Sequence, residues 1–428
     1  MENKHIVFIL GNYYPNYSAN GLCVKNIIDF LKLKYQVTVI CEKSEYIQNE
    51  LEVYDGQSII RIETKDIKKR NENRFLLRNE KKLLKKKVIY SHVFFNRTFR
   101  YLSALLKKEN IEYNSVNKFV LALANLEKKI DIIIPVCFPY ESVVAALTYK
   151  KNIDNSTDIV PYLFDKFSIS NTLHRTKWNL KIKFKKHLAL EKWMMDSSTK
   201  IIATSDWQGH IEKYFSDYSR KIYISEIPSL KPIDEISTGK FADNKIHFVY
   251  AGSLNHNMRS PKYTLELFSL CMEENSDYVL HMYIVGNCEG LVDQFVNKHP
   301  QQIINYGSVE TKIAHQALKS ADFLLSIGNI DITQKPSKVY EYMSCGKPII
   351  HLYNDHNDPV IDILSKYPYS CCINQNKLLL EENKREIMNF VKQYSMIPPL
   401  DFSEVRKLFY EATPEFVSEK IVELLDIK

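Results

Sequence analysis

Four apolar runs in the second half of this chain each stop at a glycine. Ile246 to Ala251 runs into Gly252, Tyr278 to Val285 into Gly286, Ile303 to Tyr306 into Gly307, and Phe323 to Ile327 into Gly328. The whole chain has only 11 glycines in 428 residues, so four at matching places form a pattern. Runs of this length read as buried strands, and the segments between them are long enough for helices. Strands that alternate with helices pair in parallel and are covered on both faces. Glycine at the carboxyl end of a strand lets the backbone turn sharply or lets a ligand come close. Open parallel sheets bind ligands along that edge. Some of these glycines are therefore expected to line a cleft, and others only to serve tight turns.

The first half alternates in the same way. His5 to Leu10, Gln36 to Cys41, Ser58 to Glu63, Ile130 to Val136, Ile159 to Phe164 and Lys200 to Thr204 read as strands with helices between them. From Ile224 to Asp243 the chain changes character. Pro228, Pro232, Gly239 and polar residues make that segment a linker. A chain of this length exceeds one common domain. The expected fold is α/β, with two tandem doubly wound Rossmann-like domains over residues 1–232 and 240–405. A C-terminal segment, 406–428, follows with an amphipathic helix from Pro414 to Leu425. The eight cysteines show no CxxC pair and no Cys/His ligand spacing, so free thiols in a reducing cytosol are expected. No segment has the length and apolarity to cross a bilayer, and the N-terminus lacks a cleavage-site pattern.

The residues richest in chemistry run from Pro336 to Ile350. Pro336 suits the first turn of a helix and Ser337 its cap. Free N–H groups there could hold a diphosphate, helped by the Lys338 ammonium. Glu341 follows Lys338 by about one turn, so both can face one ligand. A cation for phosphate beside a carboxylate for sugar hydroxyls is what a nucleotide-sugar site needs. The run resembles the donor-site motif of retaining GT-B glycosyltransferases of family 4, the group 1 transferases of bacterial polysaccharides and lipid-linked glycans. The resemblance implies that Glu341 holds the nucleotide ribose, that two domains face a cleft, and that the last helix packs back on the first domain.

The resemblance extends over nearly the whole chain. Asn12-Tyr13-Tyr14-Pro15 with Ser18-Ala19-Asn20-Gly21 is similar to the family's first loop, which approaches the donor phosphates and the acceptor. Gly21, just before the helix, would leave N–H groups facing the cleft, and a plain loop-to-helix turn is the other reading. No GxGxxG follows the first strand, which speaks against a dinucleotide-binding dehydrogenase. Tyr250-Ala251-Gly252-Ser253-Leu254, then Arg259 and Lys262, resembles the loop where a basic residue contacts the diphosphate. Relatives often carry arginine where Ser253 stands, so Arg259 is the candidate for that role, with Lys338. Cations there would stabilise charge that builds on the β-phosphate as the sugar–phosphate bond breaks. By the same analogy Gly286 and Asn329 belong to the donor site, and Ser308 and Val309 offer backbone groups to the base. Asp165 stands where the family has a polar residue near the acceptor. It could orient or deprotonate the acceptor hydroxyl, or simply cap a turn. His256 and His351 have no partner in sequence and are expected to be structural.

No Asp-x-Asp occurs, so no metal is expected on the diphosphate. The family's second glutamate, eight residues before Glu341, is Thr333 here, flanked by Asp331 and Gln334. The expectation is a metal-independent enzyme that moves a sugar from a nucleotide donor, UDP-linked, to a glycan or lipid-linked hydroxyl with retention. A non-catalytic partner of another transferase is the alternative, supported by Thr333, and an epimerase of the same fold is a third reading. Two basic runs, Lys65 to Lys108 and Lys177 to Lys186, interleave cations with apolar residues. They read as solvated helices with an apolar stripe on the core, or as a surface that docks on anionic lipid headgroups. No nucleic-acid recognition motif accompanies the charge. A cytosolic protein at the inner membrane face would fit the second reading.

Overall fold

The first strand, β1 (His5–Leu10), is buried at all six positions, which a strand with helices on both faces requires. The computed structural model describes residues 4–174, 176–233, 241, 243–330 and 338–426. The chain divides into two compact units, Met1–Pro228 with Pro414–Lys428, and Ser229–Thr413.

In the first unit β1 is followed by β2 (Gln36–Glu42), β3 (Leu51–Tyr54), β4 (Gln57–Ile62), β5 (Ile132–Cys137), β6 (Asp158–Ile159), β7 (Tyr162–Leu163), β8 (Ile201–Thr204) and β9 (Ile222–Ser225). The sheet order is β3-β4-β2-β1-β5-β7-β8-β9, with β6 also beside β5. All pairs are parallel except β3 with β4. The chain winds one way from β1 to β2 and β4 and the other way from β5 onward. The switch point lies between β1 and β5, where Ile6 to Ile9 pair with Ile132 to Pro135. Sequence reading missed the β3–β4 hairpin. Its turn is Asp55-Gly56, both at positive φ (50° and 76°), the pairing that a tight hairpin needs.

The helix Pro414–Asp426 buries Val417, Ile421 and Leu425. It packs on the helix Ala19–Leu31, and Ser418 Oγ donates to Ile27 O at 3.3 Å. The crossing begins at Pro414, while residues 406–413 stay with the second unit.

The second unit holds β10 (Ile246–Leu254), β11 (Tyr278–Gly286), β12 (Ile303–Asn305), β13 (Phe323–Ile327), β14 (Ile349–Tyr353) and β15 (Ser370–Asn374). Their order is β12-β11-β10-β13-β14-β15, all parallel, with the switch point between β10 and β13. Phe248, Leu280, Phe323 and Ile350 centre its core. One glycine departs from the expected pattern. β10 runs through Gly252 to Leu254, so Gly252 lies inside the strand and not at its end.

The two basic runs depart from the first of their two readings, in which an apolar stripe lies on the core. Of the helices in the first run, Lys65–Asn79 buries Ile67 and Asn71, and Leu83–Leu106 buries nothing. The helix Lys177–Ser197 inverts the pattern as far as Glu191, beyond which Met194 and Met195 join the core. It buries Lys183, His187 and Glu191 and leaves Trp178 and Ile182 exposed. Every one of those buried polar groups has partners. Lys183 Nζ donates to Ala104 O and to Asn110 Oδ1. His187 Nε2 accepts from Asn110 N at 3.1 Å. Glu191 accepts from Phe167 N, Ser168 N and Ser168 Oγ, and its Oε2 lies 2.8 Å from His210 Nε2. Buried polar groups are tolerated when so satisfied.

Candidate functional site

The carboxyl edge of the second sheet is cross-braced at its switch point. β10 pairs with β13 only at Phe248 and Val249. Beyond them the Tyr342 hydroxyl bonds both backbone groups of Ala251. It accepts from Ala251 N at 3.1 Å and donates to Ala251 O at 3.0 Å. Tyr342 belongs to the short helix Lys338–Met343, which is thereby tied to β10. After β10 the chain turns back on itself, with Arg259 N donating to Asn255 O at 2.8 Å. That turn reaches the loop after β13, where Arg259 Nε donates to Asn329 Oδ1 at 3.1 Å and Ile330 N to Met258 O at 2.8 Å. Arg259 and Asn329, expected at one site from separate motifs, therefore meet across the switch point.

On the same short helix Lys338 Nζ lies 3.1 Å from Glu341 Oε2. His315 Nε2, from the helix Thr311–Ser320, lies 3.1 Å from Glu341 Oε1. Burial alone would push the Glu341 carboxyl up. The His315 hydrogen bond and the Lys338 charge outweigh it and hold the carboxyl below its ordinary value. Lys338 is 43% exposed, so its ammonium remains open to a ligand. Sequence reading found Lys338 and Glu341 and missed His315 and Tyr342. Nothing local marks His315, which stands 26 positions from Glu341.

The glycines at this edge serve two ends. Gly286 has φ 134°, and a Cβ there would collide with Leu254 O. The close approach of β10 and β11 thus needs glycine for packing. Gly307, φ 61°, turns the chain after β12 toward exposed Ser308 and half-buried Val309. Gly252 lies against the Tyr250 ring, and the Tyr250 hydroxyl donates to the carbonyl of Ser253, itself exposed, at 3.0 Å. Pro336, Ser337 and Thr333 lie outside the described residues. His351, on β14, is buried, with Nδ1 2.9 Å from Ser326 Oγ of β13 and Nε2 3.3 Å from Asp358 Oδ2.

A second cluster sits at the carboxyl edge of the first sheet. Asn20 Nδ2 donates to Asp165 Oδ2 at 3.2 Å and to Cys137 O at 3.3 Å. These three residues follow or end β1, β7 and β5. Burial raises the Asp165 carboxyl above its ordinary value, against the opposing Asn20 hydrogen bond and Lys166 charge. Gly21 needs correcting. The helix starts at Ala19, so Gly21 lies in its first turn. Its N–H is not free, because it donates to the capping Ser18 Oγ at 3.0 Å. Glycine is required there because a Cβ would collide with Asn12 O.

Among the described residues no group of three or more His, Cys, Asp or Glu is placed to hold a metal ion. No helix among them is long and apolar enough to cross a membrane.

No family model matches the chain, and no curated protein matches it. Solved structures do resemble it. The catalytic domain of starch synthase IV from Arabidopsis thaliana, bound to ADP and acarbose, is 11% identical with a TM-score of 0.59, covering 99% of each chain. The trehalose-6-phosphate synthase of E. coli, bound with UDP-2-fluoro glucose, is 10% identical with a TM-score of 0.58, covering 99% of this chain and 100% of that one. A putative UDP-N-acetylglucosamine 2-epimerase from Listeria monocytogenes is 11% identical with a TM-score of 0.56, covering 98% of this chain and 95% of that one. At these identities the likeness establishes the architecture alone, which is the GT-B fold.

Proposed function

We propose that this protein is a glycosyltransferase that moves a hexosyl group from a nucleotide sugar to a hydroxyl of a bacterial surface glycan or lipid-linked acceptor. The observation that carries the proposal is the braced set Arg259–Asn329 and Lys338–Glu341–His315 at the carboxyl edge of the second sheet. It combines two cations with an ionised, half-buried carboxylate. Glu341 accepts from ribose hydroxyls. Lys338 and Arg259 neutralise the charge that develops on the β-phosphate as the glycosidic bond to phosphate breaks. Both cations are already held by partners, so little reorganisation is needed at that moment. Side-chain cations do the work that a divalent ion does elsewhere, so no metal is required. The donor is a UDP-sugar; starch synthase IV, which holds ADP, makes the base the first thing to test. On the acceptor side Asp165, pushed toward its protonated form and steadied by Asn20, orients the incoming hydroxyl and draws its proton. Transfer with retention follows from the resemblance of the Pro336–Glu341 motif to retaining enzymes.

Thr333 in place of a family glutamate favours a second reading, a non-catalytic partner that binds a nucleotide sugar and supports an active transferase. One experiment separates the two. Purified protein is offered a panel of nucleotide sugars, and thermal stabilisation is scored together with release of free nucleotide, with Glu341→Ala as control. Stabilisation by one donor with slow hydrolysis, both lost in the variant, supports the enzyme. Stabilisation without turnover, even with acceptors added, supports the partner. No response to any donor overturns both. A product epimeric to the donor would instead place the chain with the epimerases.

A further inference from the structure

The helix Leu83–Leu106 is 24 residues long and buries none of them. Its sequence explains what it turns outward. At about 100° per residue, Leu84, Val88, Phe95, Phe99, Leu102 and Leu106 fall within about 60° of one another around the helix axis. All six are exposed, from 50% at Leu102 to 84% at Leu106. The helix therefore presents to solvent an apolar ridge about six turns long, interrupted between Val88 and Phe95 by Ser91 and His92. An ordinary surface helix does the reverse and puts its apolar stripe on the core.

Its far end is tied down from the other side. Buried Lys183, on the helix Lys177–Ser197, donates to Ala104 O, and the same ammonium donates to Asn110 Oδ1 at 2.8 Å. A lysine that gives up solvent to hold one carbonyl of this helix fixes it as part of the unit. The ridge is then a built surface.

Charge selects what covers it. Residues 81–108 contain nine Lys or Arg and no Asp or Glu. Lys85 and Lys107 pair with Glu80 and Glu112, and a second copy laid ridge to ridge would still bring the excess positive charge against its own like, which repulsion disfavours. An anionic lipid surface meets both features at once, with acyl chains taking the ridge and headgroup phosphates taking the lysines. We propose that the helix Leu83–Leu106 lies in the plane of an anionic membrane surface with this ridge inserted. The apolar side chains supply the insertion, and the flanking Lys85 and Lys87 supply the preference for negative headgroups. The inference extends the lipid-linked acceptor of the proposed function, and its test reads lipid binding without donor or acceptor. Its failure would leave the donor-site reading standing.

The full chain is sedimented with vesicles of phosphatidylglycerol and phosphatidylcholine, and with phosphatidylcholine alone. Binding to the first, little to the second, and weakening with added salt are expected. The triple variant Phe95→Ser, Phe99→Ser, Leu102→Ser should bind about tenfold or more weakly. Because all three residues are at least half exposed, the variant should nearly keep the parent's thermal stability. A single variant, Phe95→Trp, guards against misfolding of the triple one, and its emission should shift to the blue on adding anionic vesicles. Absence of vesicle binding, binding unchanged by the triple variant, or no shift at residue 95 would overturn the proposal. So would concentration-dependent dimerisation that the triple variant abolishes, which would give the ridge to a second copy.

Discussion

The two carboxylates at the strand edges are driven in opposite directions. Glu341 is held below its ordinary value by His315 and Lys338 against burial, and Asp165 is pushed above its own by burial that one amide and a nearby lysine do not offset. The surroundings differ in kind. Around Glu341 the edge is braced by Tyr342 on β10 and by Arg259 on Asn329. Around Asp165 the side-chain support is Asn20, shared with a carbonyl. A braced carboxylate held toward its ionised form suits binding. A carboxylate nearer to protonation suits proton handling. Pairs of acids whose environments separate them in this way divide binding from chemistry.

The sharpest way to break this comparison is Asp165→Asn. The amide keeps the shape and the Asn20 contact and removes the base. Transfer to acceptor should fall about 10²- to 10⁴-fold, with donor-induced thermal stabilisation unchanged. Equal loss of both would mean that Asp165 shapes the donor site, and the division of labour would fail. Glu341→Ala should do the opposite. Donor affinity should weaken about 10- to 100-fold, following the ~1.5–3 kcal/mol of hydrogen bonds to a charged group, measured by calorimetric titration with the preferred donor. The pH dependence carries the same contrast. Burial holds Asp165 above the ordinary aspartate value of 3.8, so the acid limb of transfer should lie above that value. Glu341 is held below the ordinary 4.5 by His315 and Lys338, so the acid limb of donor binding should lie below that value. A transfer limb below 3.8, or a binding limb above 4.5, would remove the distinction.

The fold was open to sequence reasoning because its signals are local and repeated. Apolar runs, helix-length spacers and closing glycines recur through both halves, and each states the same architecture. Lys338 and Glu341 were equally visible, since one helical turn joins them. The misses have a common physical cause. His315 reaches Glu341 from another helix and Tyr342 reaches across to β10, and such partners exist only once the chain has folded. Gly21 was misjudged because the helix starts three residues earlier than expected, which exchanged a free N–H for a capped one. Gly252 was placed at a strand's end because the apolar run stops there, whereas pairing with β11 carries β10 two residues further. The basic helices show the limit of pattern alone. Both interleave lysines with apolar residues, and periodicity does not say which face turns inward. In Lys177–Ser197 Glu191, His187 and Lys183 could turn inward because each found hydrogen-bond partners there.

The bracing itself can be tested more gently. Tyr342→Phe removes the hydroxyl that serves both backbone groups of Ala251. An unpaired buried N–H and C=O should cost about 1–3 kcal/mol of stability, read from denaturant unfolding. Donor affinity should weaken with it, because the helix carrying Lys338 and Glu341 loses its tie to β10. A destabilised variant with unchanged donor affinity would show that Tyr342 supports the sheet and not the site.

The smallest expected effect is the most discriminating. In His315→Gln the side-chain amide can still donate to Glu341 Oε1, so donor affinity should change by no more than about threefold, or ~0.6 kcal/mol. In His315→Leu that donor is gone, and Lys338 alone opposes the effect of burial on the carboxyl. Its folded value then rises, and with it the pH at which donor binding is lost. The acid limb of binding should therefore move to higher pH in the leucine variant and stay in place in the glutamine variant. Movement in both would mean that the imidazole contributes more than its hydrogen bond. Movement in neither would leave Lys338 as sufficient support for Glu341, and the contrast between the two carboxylates would rest on a single cation.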